Sequence, residues 1–200
     1  MIEEAVIAIR SGRVVVLPTD TVYGLAATAY VPGGRDALYR LKGRDEGQPT
    51  ALVAASLDVL LECVPELRGR SETIARALLP GPFTLVLPNP ARRFAWLCGS
   101  NPLALGVRVP AVSGPGREVL DRVGAVVATS ANLPGGEEPR RLEDVPVAFR
   151  DGAAAVVDGG ELPGLPSTVV DCTGPELRVI RTGAGDASKA IATVSRLRLA

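Results

Sequence analysis

The sequence predicts a mixed α/β (α+β) domain, one twisted mixed β-sheet flanked by helices, on three observations. Short apolar runs of strand length outnumber the segments with helical spacing. The two kinds alternate irregularly, unlike the strict strand–helix repeat of a doubly wound parallel fold. The 200 residues are 46% hydrophobic, enough to bury a core without disulfide staples. Glycines and prolines recur along the whole length, so no stretch stands out as an interdomain linker. Residues 1–200 are therefore expected to form a single domain.

The chain opens with Ile2, Ala5, Val6 and Ile9 at helical spacing and Gly12 as a C-cap, which predicts a helix feeding a strand at Arg13–Leu17. A short helix is predicted at Asp36–Lys42, then a buried strand at Thr50–Ala55. Ser71 is a candidate N-cap for a helix carrying Ile74, Ala77 and Leu78, which must stop at Pro80-Gly81-Pro82. Further strands are predicted at Phe83–Leu87, Leu103–Val109, Ala125–Thr129, Ala154–Val157, Thr168–Asp171 and Leu177–Ile180, with a helix at Arg117–Val123. A last helix starts near Asp186 and carries Ala190, Ile191 and Val194 on its apolar side.

Composition removes whole classes of chemistry. There is no histidine, so a Ser-His-Asp triad, a Cys-His pair and every imidazole metal ligand are excluded. The 3 cysteines, Cys63, Cys98 and Cys172, are widely spaced and never in a Cys-x-x-Cys pair, which reads as buried reduced thiols. No metal site of the protein's own is expected. Lys plus Arg equals Asp plus Glu at 22 each, so no broad attraction for nucleic acid or membrane is implied. The acidic, amphipathic N-terminus does not read as a secretory signal, and no apolar run approaches the ~18–20 residues that span a bilayer. A cytoplasmic protein is expected.

Several clusters place polar or cationic groups at the edge of an apolar element. "PTDTVYGL" (18–25) follows the strand "VVVL", and its hydroxyls and carboxylate suit either a turn or a binding loop. Lys42-Gly43-Arg44 ends a helix, where cations are favoured by the dipole, yet a point charge and a planar fork also suit phosphate oxygens. Arg108 interrupts "LALGVRVP" and either faces solvent or points into a cleft. Thr129-Ser130-Ala131-Asn132 follows "AVVA", at a strand's carboxyl end, where α/β sheets commonly bind ligands. Ser167 opens "STVVD" and Arg181 closes the next strand. Together these donors fit an anionic ligand with several phosphates. Neither a Walker A pattern nor Gly-x-Gly-x-x-Gly is present, so a nucleotide site must be of another kind.

The succession "PTDTVYGL", "LKGR" (41–44), "PGPFTLVL" (80–87), "GVRVP" (106–110), "TSAN" (129–132), "STVVD" (167–171) and "IRTGA" (180–184) resembles the YrdC-type threonylcarbamoyl-AMP synthases. The resemblance implies a YrdC-like fold around a deep basic cavity. It also implies an enzyme that joins L-threonine, bicarbonate or CO2, and ATP into threonylcarbamoyl-adenylate and pyrophosphate, with Mg2+ carried by the nucleotide. The product would pass to a downstream tRNA threonylcarbamoyl transferase. Some relatives add a C-terminal second domain, for which this chain is expected to be too short.

Carried over by position, Lys42 and Arg44 are expected to hold the triphosphate, as the catalytic cations. Ser130, Asn132 and Arg181 are expected to contact the nucleotide, and Gln48 to hydrogen-bond phosphate. Thr21, Arg108 and Ser167 are expected to face the threonine, Tyr23 to wall the pocket and Ala128 to offer a backbone carbonyl. Two positions depart from the family pattern. Gln48 adds no charge where a Lys or Asn is common, so weaker triphosphate binding is expected. Glu138 stands where a serine often precedes Pro139, and it is expected to face water rather than magnesium. Two other functions compete: a non-catalytic RNA-binding module that binds RNA weakly, for which 1 Trp, 3 Tyr and 3 Phe offer few stacking platforms, and a paralogue with another carbamoyl- or acyl-transfer role.

Overall fold

The computed structural model describes residues 1–197. Its helices are α1 (Ile2–Arg10), α2 (Pro32–Lys42), α3 (Leu57–Cys63), α4 (Arg70–Leu78), α5 (Gly114–Val123), α6 (Val147–Gly152) and α7 (Ala187–Ser195). Its strands are β1 (Val15–Pro18), β2 (Tyr23–Thr28), β3 (Ala51–Ala54), β4 (Phe83–Pro88), β5 (Ala104–Arg108), β6 (Ala125–Ser130), β7 (Ala155–Val156), β8 (Thr168–Asp171) and β9 (Arg178–Arg181). They form one sheet in the order β7-β1-β2-β6-β3-β5-β4-β8-β9. The pairs β1–β7, β3–β5 and β4–β8 are parallel and the other five antiparallel, which is the mixed sheet expected.

Most expected elements are present with ends displaced by one or two residues, and the departures have local causes. β2 replaces an expected loop: "YGLAAT" is buried at every position between β1 and β6, so it lacks the alternation of a half-exposed strand. α2 begins at Pro32, not Asp36, because Gly34 lets the helix press on β2; a Cβ there would lie 2.1 Å from the Thr28 carbonyl oxygen. Ser71 is not an N-cap, since α4 already starts at Arg70 after Gly69. α3 and α6 were unexpected, though Ser56 caps α3 by accepting from the Val59 N–H at 3.2 Å. At the other end of the chain, Asp186 caps α7 through the Lys189 N–H as its position suggested.

The two faces of the sheet are covered unequally. Val14, Val16, Leu25, Leu52, Leu85, Val107 and Val127 join the larger core with residues of α2, α3, α4, α6 and α7. Val15, Leu17, Ala26, Val53 and Val126 face the other way, against α1 and α5. Those two helices reach only part of their face, and the cavity opens over the rest. Cys98 and Cys172 are buried and Cys63 half-buried, all as free thiols. No helix of the described residues is long and apolar enough to cross a membrane.

Candidate active site

A cavity of about 580 Å³ lies on the face that α1 and α5 leave open. Small side chains make its floor: Gly24, Ala51, Ala104, Gly106 and Ala128 come from four neighbouring strands and leave room where larger residues would fill it. Gly24 lies in extended β2, where a Cβ would come 3.1 Å from the Thr129 carbonyl oxygen, so glycine here allows the close approach of β6.

One end is built by α2 and β6. Gly43 ends α2 in the left-handed conformation (φ 64°), which turns the chain so that the cations before and after it converge on β6. Lys42 Nζ donates to the Ser130 carbonyl, to Asn132 Oδ1 at 3.2 Å and, at longer range, to Thr129 Oγ1 at 3.4 Å. Arg44 Nη1 donates to Thr129 Oγ1 at 3.1 Å and Nη2 to the Pro49 carbonyl at 2.7 Å, with its guanidinium 5.7 Å from the Tyr39 ring centroid. Ser130 Oγ donates to Asn132 Oδ1 at 2.6 Å, and Asn132 Nδ2 to the Gly136 carbonyl at 2.8 Å. Burial, and then the charge of Arg44, lower the Lys42 pKa from its ordinary value to about 8, while Glu138 works in the opposite direction.

The opposite end joins the β1–β2 loop to β5. Arg108, 9% exposed, reaches from the end of β5 and donates from Nη2 to Asp20 Oδ1 and, at 2.8 Å, to Thr21 Oγ1. Beside it, Ser167 Oγ lies 2.8 Å from Thr84 Oγ1, and Arg181 Nη2 donates to the Ser167 carbonyl at 2.8 Å. Arg44, Arg108 and Arg181 all line the cavity, and Lys42 is bonded to residues that line it, so the four cations share one site.

Other expected positions fall differently. Tyr23 is fully buried and does not line the cavity; its hydroxyl meets Asp158 Oδ1 at 2.9 Å and the Gly160 carbonyl at 2.8 Å, and burial pushes its pKa up to about 12. It braces the loop at residues 158–160, whose Gly159 N–H also donates to its hydroxyl at 2.9 Å. The Ala128 carbonyl already accepts from Thr50 Oγ1 at 2.9 Å, and Ala128 sits within β6 opposite Ala51 of β3 and Ala26 of β2. Gln48 is exposed outside the lining, with its carbonyl held by the Tyr39 hydroxyl. Glu138 does not simply face water: its Oε2 is buried without a hydrogen-bond partner. Sequence reasoning passed over Thr50 and Thr84, hydroxyls on cavity-facing strands, and left Asp20 without a role. Their one local signal is a polar residue within or beside an apolar run.

Fold and cavity define the class: an α/β domain with one cavity that gathers cationic side chains from separate elements. The family model Sua5/YciO/YrdC, described as "Telomere recombination", matches residues 7–183, and the chain belongs to that family. A human protein named threonylcarbamoyl-AMP synthase is 35% identical over 191 residues, covering 90% of this chain and 66% of its own length. Sua5 of Pyrococcus abyssi, solved in complex with L-threonine, superposes with a TM-score of 0.83 at 31% identity, covering 96% of this chain and 57% of that one. YciO of E. coli superposes with a TM-score of 0.82 at 25% identity, covering 95% and 92%. The chain thus spans about two thirds of the human relative and rather more than half of the archaeal one.

Proposed function

We propose that this protein is an L-threonylcarbamoyladenylate synthase, a nucleotidyltransferase that forms threonylcarbamoyl-AMP and pyrophosphate from L-threonine, bicarbonate or CO2, and ATP. The observation that supports this most is the convergence of Lys42, Arg44, Arg108 and Arg181 on one cavity. The shared name of its relatives fits the same reading. The product would serve tRNA modification through a downstream threonylcarbamoyl transferase.

Chemically, the threonine amine captures CO2 as a carbamate, losing a proton, and a carbamate oxygen attacks the α-phosphorus in line. A P–O bond forms to the carbamate, the bond to the β-phosphate oxygen breaks, and pyrophosphate leaves with that electron pair. The chain's part is to hold two anions in contact and to neutralise charge as it shifts to the leaving group. Lys42 and Arg44 take the triphosphate, Ser130 and Asn132 orient it, and Arg181 contacts the nucleotide. Arg108, Thr21 and Ser167 hold the amino acid. Among the described residues no cluster of three or more metal-binding side chains occurs. Mg2+ would be carried by the nucleotide and would supply charge neutralisation at the phosphates, with Glu138 as the carboxylate that fits beside it.

The test is release of pyrophosphate by purified protein given ATP, threonine, bicarbonate and magnesium. Release is expected only when all are present. Release without threonine would assign a different acceptor and overturn the proposal.

A further inference from the structure

Arg108 is a buried cation held in place by its neighbours. Burial lowers its pKa, and the neighbouring Asp20 carboxylate raises it again. Both of its hydrogen bonds use Nη2, while Nε is buried with no partner. Asp20 has its own anchors. Its Oδ2 accepts from the Ala111 N–H at 3.0 Å, just past β5. The loop carrying it is pinned by Thr19, whose Oγ1 accepts from the Thr21 N–H at 3.2 Å and donates to the Val22 carbonyl at 2.8 Å. The Asp20 side chain is itself only 9% exposed.

We infer that Asp20 is a positioning residue for amino-acid recognition. It grips Arg108 by one nitrogen, Nη2, and leaves Nη1 for the carboxylate of the substrate. The inference rests on the reading of this cavity as a threonine and ATP site. An arginine clamped before the ligand arrives has less rotamer freedom to lose on binding. The ion pair also cancels one unit of charge, so an incoming carboxylate is selected by its fit to the guanidinium plane rather than by net attraction. Asp20 thereby acts on the carboxylate through Arg108, without touching the substrate.

The test compares D20N with wild type for binding of L-threonine, L-threoninamide and ATP by calorimetry, alongside steady-state kinetics. D20N is expected to weaken threonine binding roughly tenfold or more, raising KM for threonine more than it lowers kcat, while ATP affinity stays within about twofold. Threoninamide, which has no carboxylate for Arg108, should lose much less. D20E should recover part of the loss, and D20N should add nothing in an R108Q background. Equal losses for threonine and threoninamide, or an unchanged threonine affinity, would overturn the role of Asp20. Wild-type protein that binds ATP but no threonine would instead overturn the reading of the site, and the role with it. If D20N does not fold, D20S carries the same comparison.

Discussion

The cavity holds Lys42 and Arg44 in one way and Arg108 in another, while Arg181, beside Arg108, is bound like the first two to neutral oxygens, those of Ser167. Lys42 and Arg44 make no salt bridge among the described residues; they are bonded to hydroxyl, amide and carbonyl oxygens of Thr129, Ser130, Asn132 and Pro49. Arg108 is paired with a carboxylate. Neutral partners fix a cation without cancelling it, so the α2–β6 end keeps its positive charge for a polyanion. A paired cation offers direction more than charge, which suits a ligand with one carboxylate. Burial without a counter-ion has a cost, visible in the lowered pKa of Lys42.

The largest expected effect comes from removing the unpaired charges. K42M should reduce ATP affinity about 100-fold or more, since it deletes a nearly buried cation and takes away the donor to the Ser130 carbonyl. R44A, which removes a charge-assisted contact of about 1.5–3 kcal/mol, should cost roughly 10- to 100-fold. Calorimetry with ATP and with threonine separates the ends: neither variant should change threonine affinity as strongly as it changes ATP affinity. Unchanged ATP binding by R44A would remove that residue from the site. Salt offers the same contrast with native protein, because ATP binding should weaken steeply with ionic strength and threonine binding only slightly.

Much of this site is legible in the sequence, because its residues stand where an apolar element stops. Lys42 and Arg44 flank the glycine that ends α2, Ser130 and Asn132 follow "AVVA", and Arg181 closes β9. What they touch is not legible. Asp20 and Arg108 are 88 positions apart, and nothing local to "PTDT" says that its carboxylate faces inward. The Thr50 hydroxyl likewise meets Ala128 only because β3 and β6 pair. In the fold, the same limit hid β2, whose two faces are buried in the two cores, and α3, a helix of 7 residues with a single fully buried side chain. Local patterns place polar groups at element ends; tertiary pairing decides which become partners.

Titration sharpens the contrast further, because the expected pH response belongs to one end alone. Lys42 is charged below about pH 8 and loses its proton as pH rises through that value. A triphosphate favours the charged form, so ATP affinity should be full below pH 8 and fall above it by at most about tenfold per unit. K42R should flatten the profile, because a guanidinium keeps its proton. For folding the sign is reversed: between about 8 and the ordinary lysine value the unfolded chain binds the extra proton, so Lys42 makes the protein more stable as pH rises through that window. A pH dependence of ATP binding that survives K42R would assign the titration to another group.

The smallest effect concerns Glu138, the anion set against the phosphate end. Its buried, unpartnered Oε2 opposes a triphosphate and also raises the pKa of Lys42. At pH 7, below the Lys42 value of about 8, relief of repulsion should dominate in E138Q. Affinity for ATP without magnesium should rise a few-fold, with the midpoint of the pH profile moving below 8. With Mg2+ the gain should shrink or reverse, because the variant loses a carboxylate that fits beside the metal. The same gain with and without Mg2+ would separate Glu138 from the metal and leave it as a brake on triphosphate binding.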